Sequence, residues 1–247
     1  MQVDINNLPS FCLDFKLINF DKSILKAEKL LIDNIEKNKI INDHEIKNLN
    51  LERGSIKYCS NLFKYLNLKK GLKIEDIFSV EKNVFINSIK SWGLSEIELH
   101  VRNSKAELIP PHQDQFYHCC NPREKAKIIF SLTNLSDKNG FLEYFKNELP
   151  IVSLKNHIAS SVPAFSSFIP NDLILNDPER WQKVFIKKHN IVFHYMDSVH
   201  RAQVNETKEK CAFLVFRFDK NNYEIPEIKN NYKRVYNLHM KNLKKLN

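Results

Sequence analysis

From Glu96 to Phe218 the sequence is cut into short runs rich in Ile, Val and Phe, each ended by turn-forming residues, and this cadence restricts the fold more than any other feature. Glu96-Ile97-Glu98-Leu99-His100-Val101-Arg102 alternates polar and apolar positions, the period of a half-buried strand. Further runs cover Lys125 to Leu135, Phe141 to Phe145, Val162 to Phe168, Val184 to Lys187, Ile191 to Met196 and Cys211 to Phe218. Asn121-Pro122, Lys138-Asn139-Gly140, Asn171-Asp172 and Asn205-Glu206 separate them, with side chains and backbone freedom that suit turns. Many short strands punctuated in this way predict a sandwich or small barrel.

The first 95 residues read differently. Asp21 is placed to cap a helix whose Ile24, Ala27, Leu31 and Ile35 share one face. Ile56, Cys59, Phe63 and Leu66 suggest a second amphipathic stretch ending near Gly71. Ile77, Phe78, Val84, Phe85 and Ile89 suggest a third, with Gly93 as its stop. These stripes read as packing surfaces. Tyr223 to Asn247 is basic, with Tyr232, Val235, Tyr236 and Leu238 interleaved, as in a C-terminal helix or a docked tail. With no internal repeat or linker, the expectation is a mainly β fold with flanking α in one domain. Residues 1–95 form a helical part packed on the barrel, 96–218 the barrel core and 219–247 a basic C-terminal segment.

Bulk properties narrow the function only slightly. The net charge is +9 and the apolar fraction 43%, so the chain is globular. Lys, Asn and Ile are abundant throughout, and composition bias explains the charge as well as an anionic partner does. Five dispersed cysteines, without a CxxC pair, fit a reducing cytoplasm. The N-terminus lacks a basic segment followed by a long apolar stretch, and no run reaches membrane-spanning length. Aromatic residues accompany the basic C-terminal segment, but no nucleic-acid module is recognisable.

The chemistry sits in His112-Gln113-Asp114 and, after another apolar run, His200. Two imidazoles and a carboxylate form the facial set that holds non-haem iron(II), leaving three positions open. His112 and Asp114 share parity, so on an extended segment both face one way. Pro110 and Pro111 stiffen the approach. A lone His-x-Asp is weak evidence, so the flanks matter. His118 with Cys119 and Cys120 lacks a second pair at zinc spacing. His100, His157, His189 and His194 read as incidental, whereas Gln113 and Tyr117 are candidates for lining the substrate or oxygen side.

With these flanks, the region from Glu96 to Phe218 resembles the phytanoyl-CoA dioxygenase-like branch of the iron(II)/2-oxoglutarate oxygenases. Pro111-His112-Gln113-Asp114-Gln115-Phe116-Tyr117 is similar to the first motif of that branch. Ile128-Ile129-Phe130-Ser131-Leu132 and Lys138-Asn139-Gly140-Phe141-Leu142-Glu143 are similar to its next two strands. Ile191-Val192-Phe193-His194, then His200 with Asn205 and Thr207, resembles the segment around the distal ligand. The resemblance implies a double-stranded β-helix (a cupin-like jelly roll), and iron(II) held by His112, Asp114 and His200. It also implies 2-oxoglutarate as cosubstrate, molecular oxygen, and hydroxylation of a small-molecule substrate with release of succinate and CO2. Asp114 stands where related halogenases have a small residue, which disfavours halogenation.

Two departures stand out. Tyr144-Phe145-Lys146-Asn147 replaces the usual Pro-Gly-Ser-His turn, and Cys211 occupies the position at which the branch has an arginine for the far carboxylate of 2-oxoglutarate. A buried carboxylate needs a cation. Lys127, by parity with Ile129, is the first candidate to bind this cosubstrate, and Arg217 is the second. Lys210 would need a bulge. The departure at Cys211 keeps open a cupin-like metal-dependent isomerase or dioxygenase without 2-oxoglutarate, and a binding module that has lost its chemistry.

Overall fold

The computed structural model describes residues 10–13, 55–58, 62–66, 68–77, 89–102, 104–146, 153–161, 165–170, 175–221 and 223–245. Two antiparallel sheets dominate. The described strands are β1 (Ser10–Leu13), β2 (Ser55–Tyr58), β3 (Gly93–Arg102), β4 (Ile109–His112), β5 (Lys125–Ser131), β6 (Leu142–Phe145), β7 (Ile158–Ala159), β8 (Ser167–Phe168), β9 (Trp181–Val184), β10 (Ile191–Tyr195), β11 (His200–Ala202) and β12 (Cys211–Asp219). The larger sheet has the order β1-β10-β5-β12-β3-β2, the smaller β4-β11-β6-β9, and β7 pairs with β8. Among the described residues the α-helices are α1 (Leu62–Tyr65), α2 (Ile74–Ile77), α3 (Asp114–His118) and α4 (Pro226–Lys244), and Pro178–Arg180 is a turn of 3-10 helix. The architecture is the expected mainly β double-stranded β-helix, with α4 as the C-terminal helix.

Side-chain parity divides each long strand of the large sheet between two environments. Ile97, Leu99 and Val101 of β3, Ile128 and Phe130 of β5, Phe193 of β10, and Leu214, Phe216 and Phe218 of β12 form the outer core. Leu62 and Leu66 of α1 and its end, Ile74 and Ile77 of α2, and Trp92 pack in the same cluster. The opposite parity faces the interior between the sheets. There Ile129, Val192, Phe213 and Val215 meet Leu142, Tyr144, Val184 and Ala202 of the small sheet. The large sheet is therefore covered on both faces, and its strands read as near-continuous apolar runs broken only where polar groups are needed.

The Asn-Gly turn before β6 was legible in the sequence and is tightly constrained. Gly140 has φ +86, and a Cβ there would lie 3.1 Å from Arg102 Nη1 and 3.1 Å from the Gln203 carbonyl oxygen. Glycine supplies both the left-handed backbone and the space.

One described segment before residue 95 departs from the helical expectation. Ser55–Tyr58 pairs antiparallel with β3 as an edge strand, so the stretch read as one helix from Ile56 to Leu66 is a strand followed by a one-turn helix. Edge pairing supplies backbone hydrogen-bond partners to this run, which a short isolated helix cannot match. Gly93 opens β3, as expected of a residue that ends the preceding segment. The helix expected from Asp21 to Ile35 lies outside the described residues, as does the whole stretch from Phe78 to Phe85. Asn171-Asp172 and the start of the Val162 to Phe168 run also lie outside them.

Phe216 is fully buried on central β12, in register with Ile97 on one side and Ile128 on the other. Phe216→Ala is expected to cost about 3–5 kcal/mol in urea unfolding, through lost transfer energy and an unfilled cavity. A loss under about 1 kcal/mol would contradict this packing.

Candidate metal centre

β4 ends at His112, Gln113 stays extended (φ −119, ψ 130), and α3 begins at Asp114. The change from strand to helix directs Asp114 inward. On the neighbouring strand, His200 of β11 lies directly opposite His112 in the pairing register. The His112 and His200 ring centroids are 4.2 Å apart, and His200 Nε2 is 3.8 Å from Asp114 Oδ2. One donor atom from each of His112, Asp114 and His200 lies within 4.8 Å of the others. Among the described residues this is the one such group of three. The predicted triad is brought together.

The imidazoles are oriented for coordination. His112 Nδ1 is 2.9 Å from the Pro110 carbonyl oxygen, and His200 Nδ1 is 3.0 Å from that of Ser198. A carbonyl only accepts, so each Nδ1 carries the proton and each Nε2 presents a bare lone pair toward Asp114. Fixing the tautomer through the far nitrogen is how metal-binding histidines are usually held. The ligand set has the mixture of imidazole and carboxylate that first-row divalent ions favour, so the residues fit an iron(II) centre.

A row of polar side chains crosses the large sheet beneath the triad. The registers place His194 opposite Lys127, Lys127 opposite Arg217, and Arg217 opposite Glu96. Lys127 Nζ donates to Asp114 Oδ2 at 2.7 Å. Asp114 is a carboxylate, so His194 Nε2 must donate in its 3.1 Å contact with Oδ2; Nδ1 then accepts from the Tyr144 hydroxyl at 2.7 Å. Arg217 donates to Glu98 at 2.6 Å and also to Glu96. Burial alone would raise Asp114, yet Lys127, the His194 hydrogen bond and His200 hold it well below the ordinary carboxylate value. Burial lowers Lys127 from the usual lysine value while Asp114 opposes that shift, and the contact is an ammonium–carboxylate pair. Burial works against the Arg217 cation too, but Glu98 and Glu96 outweigh it and raise its pKa.

Both predicted cosubstrate-binding residues thus face the interior, in different settings. Lys127 reaches the triad, whereas Arg217 is engaged by two carboxylates. Cys211 lies opposite Arg102 in register, and Arg102 is buried, donating to the carbonyls of Glu107 (2.6 Å) and Gly140 (3.3 Å). Burial lowers it to about 10, with Cys211 opposing. His194 reads as incidental in the sequence, and nothing there gives Tyr144 or Arg102 a role at the site. Strand parity was the available signal, since His194 follows inward-facing Val192 by two positions and Arg102 follows Glu98 by four.

Gln113 does not line the open side. It is fully buried, donates to the Asp197 and Ser153 carbonyls, and accepts from the Lys155 amide at 2.7 Å. Its own amide donates to His157 Nε2 at 3.2 Å, and the His157 ring stacks on Phe116. Gln113 therefore ties two backbone segments, 153–155 and the one at Asp197, to the joint between the two ligands. Tyr117 packs edge-on against His112, and its hydroxyl donates to the Ser167 carbonyl. Cys119, Cys120 and Cys211 are buried free thiols, and among the described residues no helix is long and apolar enough to cross a membrane.

No protein-family model matches the sequence, and no curated protein matches it. Solved structures do match in fold. EctD from S. alaskensis, solved with 2-oxoglutarate and 5-hydroxyectoine, superposes with a TM-score of 0.58 at 11% identity, over 86% of this chain and 72% of that one. The non-heme monooxygenase ThoJ, in its apo form, gives 0.56 at 10% identity over 97% and 96% of the two chains. EvdO2 from Micromonospora carbonacea var. aurantiaca is 18% identical with a TM-score of 0.42, and the match spans only 51% of its length. At such identities the first two likenesses establish a shared fold.

Two outcomes are expected. Gln113→Leu removes its hydrogen bonds to two carbonyls and from one amide and should destabilise the protein by about 2–3 kcal/mol in urea unfolding; an unchanged midpoint would remove its bracing role. Burial pushes His200 down to about 3, and His157 and His194 to about 4. Burial, and then the neighbouring His200, push His112 down to about 3 as well. Between these values and 6.5 the unfolded chain binds protons that the fold does not, so metal-free protein should lose stability as pH falls from about 6.5 toward 4. A urea midpoint independent of pH over that window would rule out buried neutral imidazoles.

Proposed function

We propose that this chain is a non-haem iron(II)- and 2-oxoglutarate-dependent oxygenase that hydroxylates an aliphatic C–H bond of a small-molecule substrate, releasing succinate and CO2. The observation that carries this reading is the pair of bare Nε2 lone pairs from His112 and His200 converging on the Asp114 carboxylate. The shared jelly-roll fold is consistent with it. The motif flanks favour the phytanoyl-CoA dioxygenase-like branch. The +9 charge is compatible with an anionic substrate, and the free thiols with a reducing cytoplasm. Residues 1–247 act as a single oxygenase domain in this reading.

When bound, iron and cosubstrate supply oxygen activation coupled to oxidative decarboxylation. The chain's own residues do the rest. His112, Asp114 and His200 would hold the metal ion, and a set of three protein ligands would leave coordination positions for cosubstrate and oxygen. His194 and Tyr144 hold the Asp114 carboxylate in place. Lys127 is the buried cation closest to the triad and takes the far carboxylate of 2-oxoglutarate, while Arg217 stays in its acidic clamp and keeps the row ordered. Ile129, Val215 and Phe213 exclude water from the floor of the site. Tyr117, beside His112, borders the side on which substrate enters.

A second reading, a metal-dependent isomerase or dioxygenase that does not use 2-oxoglutarate, draws support from Cys211 at the position of the missing arginine. Anaerobic titration with iron(II) and 2-oxoglutarate separates the two. The expected outcome is a visible charge-transfer band in the wild type, absent from His112→Ala and Asp114→Ala. Folded wild-type protein that takes up iron but shows no band and forms no succinate in air would favour the second reading.

A further inference from the structure

The Lys127–Asp114 contact connects metal binding to anion binding. Lys127 Nζ lies 2.7 Å from Asp114 Oδ2, and this same oxygen is the carboxylate atom 3.8 Å from His200 Nε2. The ammonium therefore borders the place where a metal ion would bind. Both side chains are buried, at 6% and 5% exposure, so solvent screens neither charge effectively. Arg217 with Glu98 and Glu96 is a trio with one negative charge in excess, set one strand away from Lys127, and the imidazoles of His112 and His200 spend their Nδ1 protons on carbonyl oxygens.

Without metal, Lys127 is the counter-charge that keeps Asp114 ionised in the barrel. Adding a divalent ion alone to this neutral pair leaves two positive charges in excess, against the single negative charge of that trio, in a poorly screened interior. Adding the ion together with a dianion leaves none. Lys127 has an unbranched, flexible stem, and its ammonium can exchange one carboxylate for another by rotamer change.

We propose that Lys127 is an internal competitor for the metal site, released from Asp114 only when the far carboxylate of an incoming 2-oxo diacid captures its ammonium. Metal and cosubstrate then bind as a coupled pair, and by linkage each raises the affinity of the other. This inference rests on the metal-centre reading above and adds to it an order of preference, in which metal alone binds weakly and metal with a diacid binds tightly.

The test uses Mn(II), which is redox-inert in air, with binding followed by loss of the free-ion electron paramagnetic resonance signal. Affinity is measured alone, with saturating 2-oxoglutarate, and with saturating 2-oxopentanoate. The last has the same chelating end but carries a methyl group in place of the far carboxylate. In the wild type, 2-oxoglutarate should tighten Mn(II) about tenfold more than 2-oxopentanoate does, within the usual span of coupling between sites. In Lys127→Gln, Mn(II) alone should bind about tenfold tighter than in the wild type, and the difference between the two oxo acids should vanish. Equal tightening by both acids in the wild type would overturn the competition, and that comparison does not depend on whether the variant folds. A folded Lys127→Gln that binds Mn(II) no more tightly than the wild type would overturn it as well. Those results would leave the metal centre standing, whereas folded wild type that binds no Mn(II) under any condition overturns the centre and this inference together.

Discussion

An ionised carboxylate inside a β-barrel is costly unless the surrounding side chains compensate it, and the interior of this protein is arranged around Asp114. Lys127 supplies the charge, His194 a hydrogen bond, and Tyr144 fixes His194 from the opposite sheet. These partners come from β5, β10 and β6, so the carboxylate stitches the two sheets together at one end of the barrel. Below this level the interior turns apolar, with Ile129, Leu142, Val192 and Val215 filling the space between the sheets. The polar layer is thus confined, and the apolar packing stabilises it against the cost of burying charge.

Three buried cations show three ways of meeting that cost. Lys127 has a carboxylate with few other partners, Arg217 has two glutamates, and Arg102 has backbone carbonyls. Arg217 and Arg102 hold strand ends and closing loops together, and a ligand would gain little by competing for them. Of the three, Lys127 is the one paired with a member of the candidate triad. A sequence reading sees three basic residues on strands. Their different partners determine which of them is available.

Much of the β-core was legible because strands alternate with period two and end at residues with turn-forming side chains. Glu96 to Arg102, Ile191 to Met196 and Cys211 to Phe218 became β3, β10 and β12 nearly as read, and the triad followed from residue type and flanks. Ser55–Tyr58 was misread because its apolar spacing suits a helix locally, and pairing with β3 is a long-range contact that local periodicity does not contain. His194 was dismissed and Gln113 overinterpreted for a related reason. Hydrogen bonds to Tyr144, Asp114, Ser153 and Asp197 join positions far apart in the chain.

The joint at Gln113, with a strand on one side and a helix on the other, has a consequence for how such a sequence can diverge. Each added residue turns a side chain by about 180° on a strand and by about 100° on a helix. One insertion or deletion between His112 and Asp114 would swing the carboxylate away from both imidazoles, with no nearby conformation that restores it. This two-residue step therefore behaves as a fixed gauge, a spacing that descendants of the chain must keep to retain the triad.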